Sequence, residues 1–313
     1  MSDLVVPALI QFLLFVLIAP LITGVVRTMK ARLQIRRGPA VWQPYRDLLK
    51  LLRKGMVIPD TASWLFSATP YVVFLTAAMV ALMIPMVVTV APLSLFGGVL
   101  AVVYLLALGR FFMALGGLDA GTPFGGLGSS REMTISAIAE PAMMLAIFTV
   151  AVSANSTNLT EMAQFAVSQN WRFLAPSQIL AFGALFIVLI AETGRIPVDN
   201  PATHLELTMI HEAMILEYSG PYLALIEWGA SLKQLVLMTL LVNTFFPFGL
   251  SRDWTALGVT IGMGFYLLKV LLLCCFIVLV ETTNAKMRLF RVPELLAVAF
   301  ILGALALIST FFF

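Results

Sequence analysis

Apolar runs of about 20 residues recur along the whole chain and restrict the folds open to it. A helix of about 20 apolar residues crosses a hydrocarbon layer of roughly 30 Å. Eight such runs can be drawn, at residues 4–26, 70–91, 97–116, 132–152, 178–191, 223–246, 256–280 and 293–313. Of the 313 residues, 61% are hydrophobic and only 11% are charged, unlike an ordinary soluble domain. The sequence therefore predicts an all-α, polytopic membrane protein with about eight transmembrane helices, in which residues 1–313 form a single integral membrane domain.

Lysine and arginine are distributed unevenly over the loops between these runs. Fourteen of them lie in one alternate set of loops and two in the other, and nine of the fourteen lie in residues 27–69. Basic loops of multi-pass proteins stay in the cytoplasm. The predicted topology places the basic loop 27–69 and the acidic loop 192–222 in the cytoplasm, and both termini outside the cytoplasmic membrane of a bacterium or archaeon. The first run, Leu4 to Val26, is longer than the apolar part of a signal peptide and is expected to remain as an anchor.

One predicted cytoplasmic stretch concentrates protonatable side chains. Residues 191–220, AETGRIPVDNPATHLELTMIHEAMILEYSG, contain both histidines, five of the 16 acidic residues and one base, Arg195. The five acids are Glu192, Asp199, Glu206, Glu212 and Glu217. The segment LTMIHEAMIL is apolar enough to be buried, and carboxyls on a buried helix need partners, water or raised pKa values. The stretch is predicted to handle protons; an ordinary solvated loop is the alternative.

The same stretch carries the signals of a helix over residues 200–218, with a capping residue and a proline at its start. His204 and His211 lie seven residues apart and would share one face of it. Glu206 and Glu217 would share the opposite face. No second histidine completes an HExxH motif and no cysteine lies nearby, so no metal site is predicted.

Charged residues also occur inside the predicted spans, where each costs roughly 2.5–3.5 kcal/mol on insertion. They are Arg110, Glu140, Glu227, Lys233 and Lys269. Glu140 is predicted to carry a proton or, alternatively, to hydrogen-bond a neighbouring helix. Glu227 and Lys233 lie six residues apart on different faces, so each needs a partner on another helix. Lys233 and Lys269 are predicted either to shuttle protons or to extend toward the membrane surface.

Arg110 precedes a glycine-rich segment, residues 116–128. The arginine is expected to extend to the surface or to pair with Asp119. The glycines do not have the spacing of a phosphate-binding loop, so they predict either a flexible hinge or a close-packed re-entrant segment.

Two segments carry a resemblance to a known family. Within residues 191–220, AETGRIPVDNP followed by LEL and EYSG resembles the central acidic loop of subunit 1 of respiratory complex I. RRGPAVWQPYRDLLKLLRK, residues 36–54, resembles the first loop of the same subunit, and the resemblance extends over essentially the whole chain. Ala202 and His204 stand where the family has two further acids. With this departure the chain resembles the hydrogenase branch of the family, which includes the membrane subunits of formate hydrogenlyase and of hydrogenase-4.

The resemblance implies a role as a membrane anchor beneath a cytoplasmic [NiFe] hydrogenase module, linked to antiporter-like membrane subunits. The expected partners in this hetero-oligomer are the large and small (cluster-bearing) hydrogenase subunits, the antiporter-like subunits and lipid. Iron-sulfur clusters and the [NiFe] centre would lie in partner subunits, so this chain is expected to bind no cofactor and to have no catalytic residue. The adjacent Cys274 and Cys275 are interpreted as packing residues, and no feature of the charge pattern predicts nucleic-acid binding.

The candidate site residues fall into two groups. The predicted proton relay comprises Glu140, Glu192, Asp199, Glu206, Glu212, Glu217, Glu227, Lys233 and Lys269. The predicted loop and partner contacts are Arg36, Arg37, Arg46, Asp47, Lys50, Arg195, His204 and His211. The resemblance implies the roles of Glu192, Asp199, Glu206, Glu217, Arg195, Glu140 and Glu227. The roles of His204, His211 and Glu212 are inferred from the residues alone.

Two other functions are consistent with the sequence. The chain could be the quinone-site membrane subunit of a complex I type NADH dehydrogenase, or a stand-alone proton-coupled transporter. Bound quinone would favour the first, and transport by the isolated chain in vesicles would favour the second.

Overall fold

The regular structure consists almost entirely of helices. The computed structural model describes residues 2–168, 175–200, 209–251 and 255–312. The helices of this part of the chain are α1 (Ser2–Leu33), α2 (Gln43–Leu52), α3 (Trp64–Met83), α4 (Val99–Asp119), α5 (Pro123–Ala154), α6 (Leu159–Ser168), α7 (Pro176–Glu192), α8 (His211–Ile215), α9 (Gly220–Phe245), α10 (Ala256–Thr283) and α11 (Val292–Ser309). Short 3-10 turns occupy Ser94–Phe96 and Leu289–Arg291.

Seven of the helices in the described residues are long and apolar enough to cross a membrane. An eighth, α7, is apolar but has only 17 residues. Together they overlap all eight predicted runs, which confirms the all-α, multi-pass architecture. The second predicted run, 70–91, differs most, because α3 begins and ends earlier. Pro85 disfavours helical backbone at Ile84, which is extended, and the rest of the run forms a buried loop that pairs with Ser251.

The long helices pack around α9, which contacts α1, α3, α7 and α10. A second group forms where α5 packs against α4, α7 and α11. The large apolar core lies between these groups. We call the end of the bundle that carries residues 34–63 the basic end. The connection between α9 and α10 lies at the opposite end.

The glycine-rich segment forms a tight helical hairpin rather than a hinge or a re-entrant segment. Only residues 120–122 separate α4 from α5. A Cβ at Gly125 would lie 2.1 Å from the carbonyl oxygen of Gly117, so only glycine permits this approach of the two helices. At the end of α4, Asp119 Oδ2 accepts hydrogen bonds from the backbone N–H groups of Ser63 (2.8 Å) and Phe66 (3.1 Å). Asp119 therefore caps the first turn of α3.

The first loop folds back along α1 instead of extending away from it. Thr28 Oγ1 donates to the carbonyl of Pro39 at 3.0 Å, and Tyr45 donates to the carbonyl of Leu17. A Cβ at Gly24 would lie only 2.0 Å from the carbonyl oxygen of Val41. The helix α2, which follows, packs against both α1 and α9.

The EYSG segment joins α9 to two earlier parts of the chain. The Tyr218 hydroxyl donates to the carbonyl of Phe66, and the two rings stack with centroids 4.0 Å apart. Burial raises the pKa of Tyr218, so this phenol stays neutral. Ser219 Oγ donates to the carbonyl of Val57 and accepts from its N–H, at 3.0 and 2.9 Å. The start of α9 is therefore fixed to the basic end.

Candidate functional site

Arg110 in α4 lies at the centre of a group of buried and partly buried charges that we call the Arg110 cluster. Its Nη2 donates to Glu192 Oε2 at the end of α7, and its Nη1 donates to Glu140 Oε1 in α5 at 3.0 Å. Its Nε lies 3.7 Å from Glu132 Oε1. Lys233 Nζ in α9 lies 2.8 Å from the same Oε2 of Glu192. Two bases thus share three carboxyls inside the bundle, and protonation of any one carboxyl changes the charge balance.

The helical wheel explains why Arg110 points into the bundle. Leu106, Gly109, Met113 and Ala114 are buried on the same face of α4. The prediction that Arg110 extends to the surface or pairs with Asp119 is wrong. The two residues lie nine positions apart, which is about 180° around the helix. Asp119 caps α3 instead.

A second group, the Arg195 cluster, lies beside the first. Arg195 Nη1 donates to Glu281 Oε1 at the end of α10, at 2.8 Å. Its Nη2 donates to Gln234 Oε1 in α9, also at 2.8 Å. Lys30 in α1 pairs with the other oxygen of Glu281 at 2.8 Å. The cluster thus joins α1, α9 and α10 to the segment that follows α7.

Adjacent residues of α9 connect the two clusters. Lys233 pairs with Glu192 of the Arg110 cluster, whereas Gln234 accepts from Arg195. The result is a polar belt that runs from α5 to α1 through the middle of the helix bundle. Three buried atoms of this belt have no hydrogen-bond partner in the described part of the chain: Arg110 Nε, Glu192 Oε1 and Arg195 Nε.

A cavity of about 720 Å³ lies against the belt. Its walls come from α1, α3, α4 and α9 and from the segment 191–199, and both clusters contribute side chains to its lining. The exposed Arg27, Arg36 and Arg37 also line it, at the basic end. The lining is mixed, and beside the polar belt a cavity of this size can hold several water molecules, which would satisfy the open atoms of the belt.

The residues after α7 form the floor of this cavity. Asp199 is buried, pairs with Lys286 at 2.7 Å and accepts from the backbone N–H of Ile210 at 3.3 Å. The carboxylate thus holds the backbone at Ile210 close to Asp199. The predicted helix over 200–218 is, in the described residues, only α8, because Met209 and Ile210 lie outside it. Residues 201–208, with the predicted site residues His204 and Glu206, lie outside the described residues.

The structure brings together much of the predicted site. Glu140, Glu192 and Lys233 lie in the Arg110 cluster and Arg195 in the neighbouring one. The cavity lining contains Arg36, Arg37, Glu192, Arg195, Asp199, His211, Glu212, Glu227 and Lys233. As the helical spacing requires, Lys233 finds its partner on another helix. Glu217 does not line the cavity. Arg46, Asp47 and Lys50 lie on α2, where Asp47 accepts from Gln43 at 2.8 Å.

Lys269 lies apart from the belt. Its Nζ donates to Asn243 Oδ1 at 2.9 Å and to the carbonyl of Phe246 at 3.0 Å, both at the C-terminal end of α9. Asn243 is ten residues beyond Lys233, or roughly 15 Å along the helix axis. The geometry gives Lys269 a capping contact with the end of α9, so its predicted part in the relay stays a prediction.

Several residues of the belt were not among the sequence candidates. They are Lys30, Glu132, Gln234 and Glu281, together with Arg110, which was singled out as a charge inside a predicted span but was not placed in the relay. Lys286, the partner of Asp199, was not a candidate either. Lys30, Glu281 and Lys286 stand at or beyond the ends of apolar runs, where a charge needs no internal partner. The high cost of inserting a charge into the membrane drew attention to Lys233. That cost does not apply to its neighbour Gln234, which is uncharged.

Metal-ligating side chains are scattered through the described part of the chain. Within residues 2–168, 175–200, 209–251 and 255–312, no group of three or more His, Cys, Asp or Glu side chains could hold a metal ion. Cys274 is buried and Cys275 half-buried, and neither forms a disulfide.

Comparison with known proteins places this geometry in a family. A family model described as NADH dehydrogenase matches residues 6–312. Hydrogenase-4 component C of Escherichia coli (strain K12) is 37% identical over 304 residues, which cover 97% of this chain and 95% of that protein. Formate hydrogenlyase subunit 4 of the same strain is 35% identical over 301 residues, which cover 96% of this chain and 97% of that protein.

More distant relatives also match this chain over most of its length. A subunit of the NADH-quinone oxidoreductase of Syntrophotalea carbinolica is 30% identical over 310 residues, covering 90% of this chain and 89% of that protein. A chain of the membrane-bound sulfane sulfur reductase, an archaeal respiratory membrane complex, has the same fold, with a TM-score of 0.86 at 18% identity over 98% of this chain and 99% of that one. The chain therefore belongs to the NADH dehydrogenase family, the complex I subunit 1 family that its two loop segments resemble.

Proposed function

We propose that this chain is the membrane-anchor and proton-coupling subunit of a membrane-bound [NiFe] hydrogenase complex of the formate hydrogenlyase or hydrogenase-4 type. The observation that carries the proposal is the buried polar belt, which joins the segment after α7 to helices on both sides of the bundle. Two relatives matched over almost their whole length, both at least 35% identical, are named as components of hydrogenase-4 and of formate hydrogenlyase. Their names support the choice of complex.

The belt offers a physical route for coupling. Glu132, Glu140 and Glu192 compete for one guanidinium, so their protonation states are linked. A change of charge in a cytoplasmic electron-transfer module beside residues 192–220 would alter which carboxyl Arg110 neutralises. A carboxyl that loses its base then takes up a proton, because an unpaired charge in a buried site is costly.

The change would spread laterally through α9. Lys233 and Gln234 belong to different clusters but are neighbours in one helix, so a shift at Glu192 alters the environment of Arg195 and Glu281. Antiporter-like membrane subunits would receive this change at the sides of the bundle. The iron-sulfur clusters and the [NiFe] centre of the proposed complex would lie in its hydrogenase subunits.

The first loop is the proposed docking surface for the soluble arm. Its exposed bases include Arg36, Arg37, Arg46 and Lys50, which can contact acidic protein surfaces or lipid headgroups. The loop is joined to α1 and to the start of α9 by hydrogen bonds between its backbone and the side chains of Thr28 and Ser219. The docked module would thus lie directly over the cavity.

The test begins with the complex purified gently from membranes together with its partners. Hydrogen evolution from a reduced low-potential dye, without a quinone requirement, is the expected result. The variants Glu192→Gln and Glu140→Gln should retain dye-driven hydrogen evolution, which bypasses the belt, and lose proton uptake coupled to turnover in proteoliposomes. Glu161→Gln, an exposed acid of α6, is the matched control. Normal coupling in both belt variants would refute the relay, although the anchoring role would survive.

A quinone-site subunit is the second candidate, and the cavity favours it. Its volume of about 720 Å³ and its mixed apolar and polar lining are those of a site for an organic molecule. Proteins named as subunits of NADH-quinone oxidoreductase are among the relatives. Inhibitor-sensitive quinone reduction with no hydrogen evolution would select this candidate and reject the first.

A further inference from the structure

Lys269 lies near the middle of a membrane-spanning helix. It is 13 residues from the start of α10 and 14 from its end, which places its Cα roughly 20 Å from either end of the helix. The hydrocarbon core of a bilayer is roughly 30 Å thick, so this position lies far from both headgroup layers. An ammonium group at this depth needs its partners from protein.

The described residues provide Lys269 with neutral hydrogen-bond acceptors but with no negatively charged partner. Its ammonium donates to the side-chain oxygen of Asn243 and to the carbonyl of Phe246, while a lysine has three N–H donors. Lys30, Lys233 and Lys286 each pair with a carboxylate at 2.7–2.8 Å, whereas no ion pair of the described chain includes Lys269. Lys269 is half-buried, so part of its side chain faces outward from the bundle.

Aromatic side chains of α7, α9 and α10 lie near Lys269, and we call the exposed side of α10 next to them the aromatic groove. On α7, the Phe182 ring contacts the rings of Phe245 and Phe246, with centroids 5.9 and 5.4 Å apart. Phe186 of the same helix contacts Phe276 of α10 at 4.6 Å. Only 33% of the apolar window of α10 is buried within this chain. Most of the apolar surface of α10 is therefore left uncovered by the described part of this chain.

The exposed side of α10 carries large apolar side chains near Lys269. Leu272 and Phe276 lie within about 60° of Lys269 around the helix and are 61% and 45% exposed. This side of α10 therefore combines exposed apolar side chains with a cation.

We propose that this groove docks a transmembrane helix of a partner subunit, and that this helix carries one carboxylate at the depth of Lys269. Charge complementarity selects this occupant, because lipid tails fill an apolar groove but cannot neutralise an ammonium at mid-membrane depth. A carboxylate accepts the third N–H of Lys269 and removes the cost of an uncompensated charge in hydrocarbon. The proposal rests on the chain being part of a membrane complex, and not on the complex making hydrogen.

A photoreactive amino acid at Leu272, in the intact complex purified from its host membrane, tests the occupant. The expected product is a cross-link to a membrane helix of a co-purified subunit, with an Asp or Glu within one helical turn of the linked residue, read by peptide mass spectrometry. The same probe at Ile301, which is 55% exposed on α11, is the control for non-specific capture. A cross-link from Leu272 to lipid alone, or to a helix without an acid at that depth, would overturn the proposal.

A charge exchange then tests the ion pair itself. Lys269→Glu should reduce the amount of the linked subunit that co-purifies by roughly tenfold or more, since loss of a buried charge pair weakens association strongly. Changing the acid of the partner helix to Lys in the same complex should restore it. A failure to restore it, with both single variants present in the membrane at normal amounts, would refute the pairing. Cross-linking with no hydrogen evolution would reject only the proposed hydrogenase function.

Discussion

The helix α9 contributes to two buried polar groups that satisfy their side chains in different ways. Toward the basic end, Lys233 and Gln234 connect charged residues of several elements beside the cavity. Toward the opposite end, Thr239 shares a 2.8 Å hydrogen bond with the hydroxyl of Tyr266. Asn243 there donates to the carbonyls of Pro85 and Met86, each at 2.8 Å.

The chemistry of the two groups explains the difference in their roles. Near Asn243, mainly neutral side chains hydrogen-bond backbone carbonyls that the end of a helix or a loop leaves without partners. Thr239 and Asn243 have no ionisable group, so they cannot exchange a proton. Near Lys233, carboxyls compete for bases and three buried atoms remain open beside a cavity. Proton handling is therefore expected at the basic end, and structural bracing at the opposite end.

Replacing Arg110 tests the charged group most severely. Arg110→Ala leaves Glu192 and Glu140 without the guanidinium that both contact, and removal of one partner of a buried ion pair costs about 3–5 kcal/mol. We expect the largest fall in stability here, measured as the thermal midpoint of the detergent-purified chain by size-exclusion chromatography. Glu132→Gln, which loses only a 3.7 Å contact, is the control and should shift the midpoint least. Equal shifts for both would contradict a cluster centred on Arg110.

Replacing Asn243 tests the neutral group. Asn243→Leu leaves the carbonyls of Pro85 and Met86 and the ammonium of Lys269 each short of a partner. Unsatisfied buried groups cost about 1–3 kcal/mol each, so stability should fall clearly, while proton uptake per turnover in proteoliposomes stays normal in the variant that survives. A coupling defect at normal stability would show that the two groups are not separate in function.

Replacing Gln234 sharpens the comparison, because this residue connects the clusters without carrying charge. Gln234→Leu removes the acceptor of Arg195 Nη2, at a cost of about 1–3 kcal/mol, and should lower coupled proton uptake. Gln234→Glu keeps an acceptor oxygen and serves as the matched variant for the stability measurement. Normal coupling in Gln234→Leu would show that the clusters act independently.

The smallest effect is expected on α2, where the charges are exposed. Arg46→Gln with Lys50→Gln should leave stability within about 0.5 kcal/mol, since solvated surface charges contribute little. Retention of the soluble arm should be lower than in the unchanged complex at low salt and should depend less steeply on added salt, because fewer charge contacts remain for salt to screen. The measurement is the fraction of soluble subunits that stay bound on a column washed at increasing ionic strength. Retention unchanged at every salt concentration would remove α2 from the docking surface.

The sequence predicted the helices well and the partners of their charges less well. Apolar runs of membrane length locate the helices directly, although a proline ended α3 earlier than its hydropathy indicates. The cost of a charge in hydrocarbon identified Glu140, Lys233 and Arg110 as residues in need of an explanation. Which carboxyl meets which base depends on how helices distant in sequence pack together. The prediction paired Arg110 with Asp119 because the two are close in sequence. The actual carboxylate partners of Arg110 lie 22 to 82 positions away.

Residues at the ends of the runs were the hardest to assign. Lys30 and Glu281 lie at the ends of predicted spans, where a charged residue is ordinary because water is expected nearby. In the structure both belong to the belt. Only the contact of the segment after α7 with α9 and α10 shows that these ends are covered. Gln234 illustrates the same limit, because a neutral side chain between charges carries no distinctive signal in one sequence.

The close approach at Gly24 has a mechanical consequence. With the carbonyl of Val41 where a side chain would otherwise project from Gly24, the first loop has no room to slide along α1. A load applied to α2 by the proposed docking partner would therefore reach the end of α1 through this contact. Lys30 is six residues further along that helix, or about 9 Å, and is bound to Glu281. The contact at Gly24 thus couples the position of α2 to Lys30 and so to the Arg195 cluster.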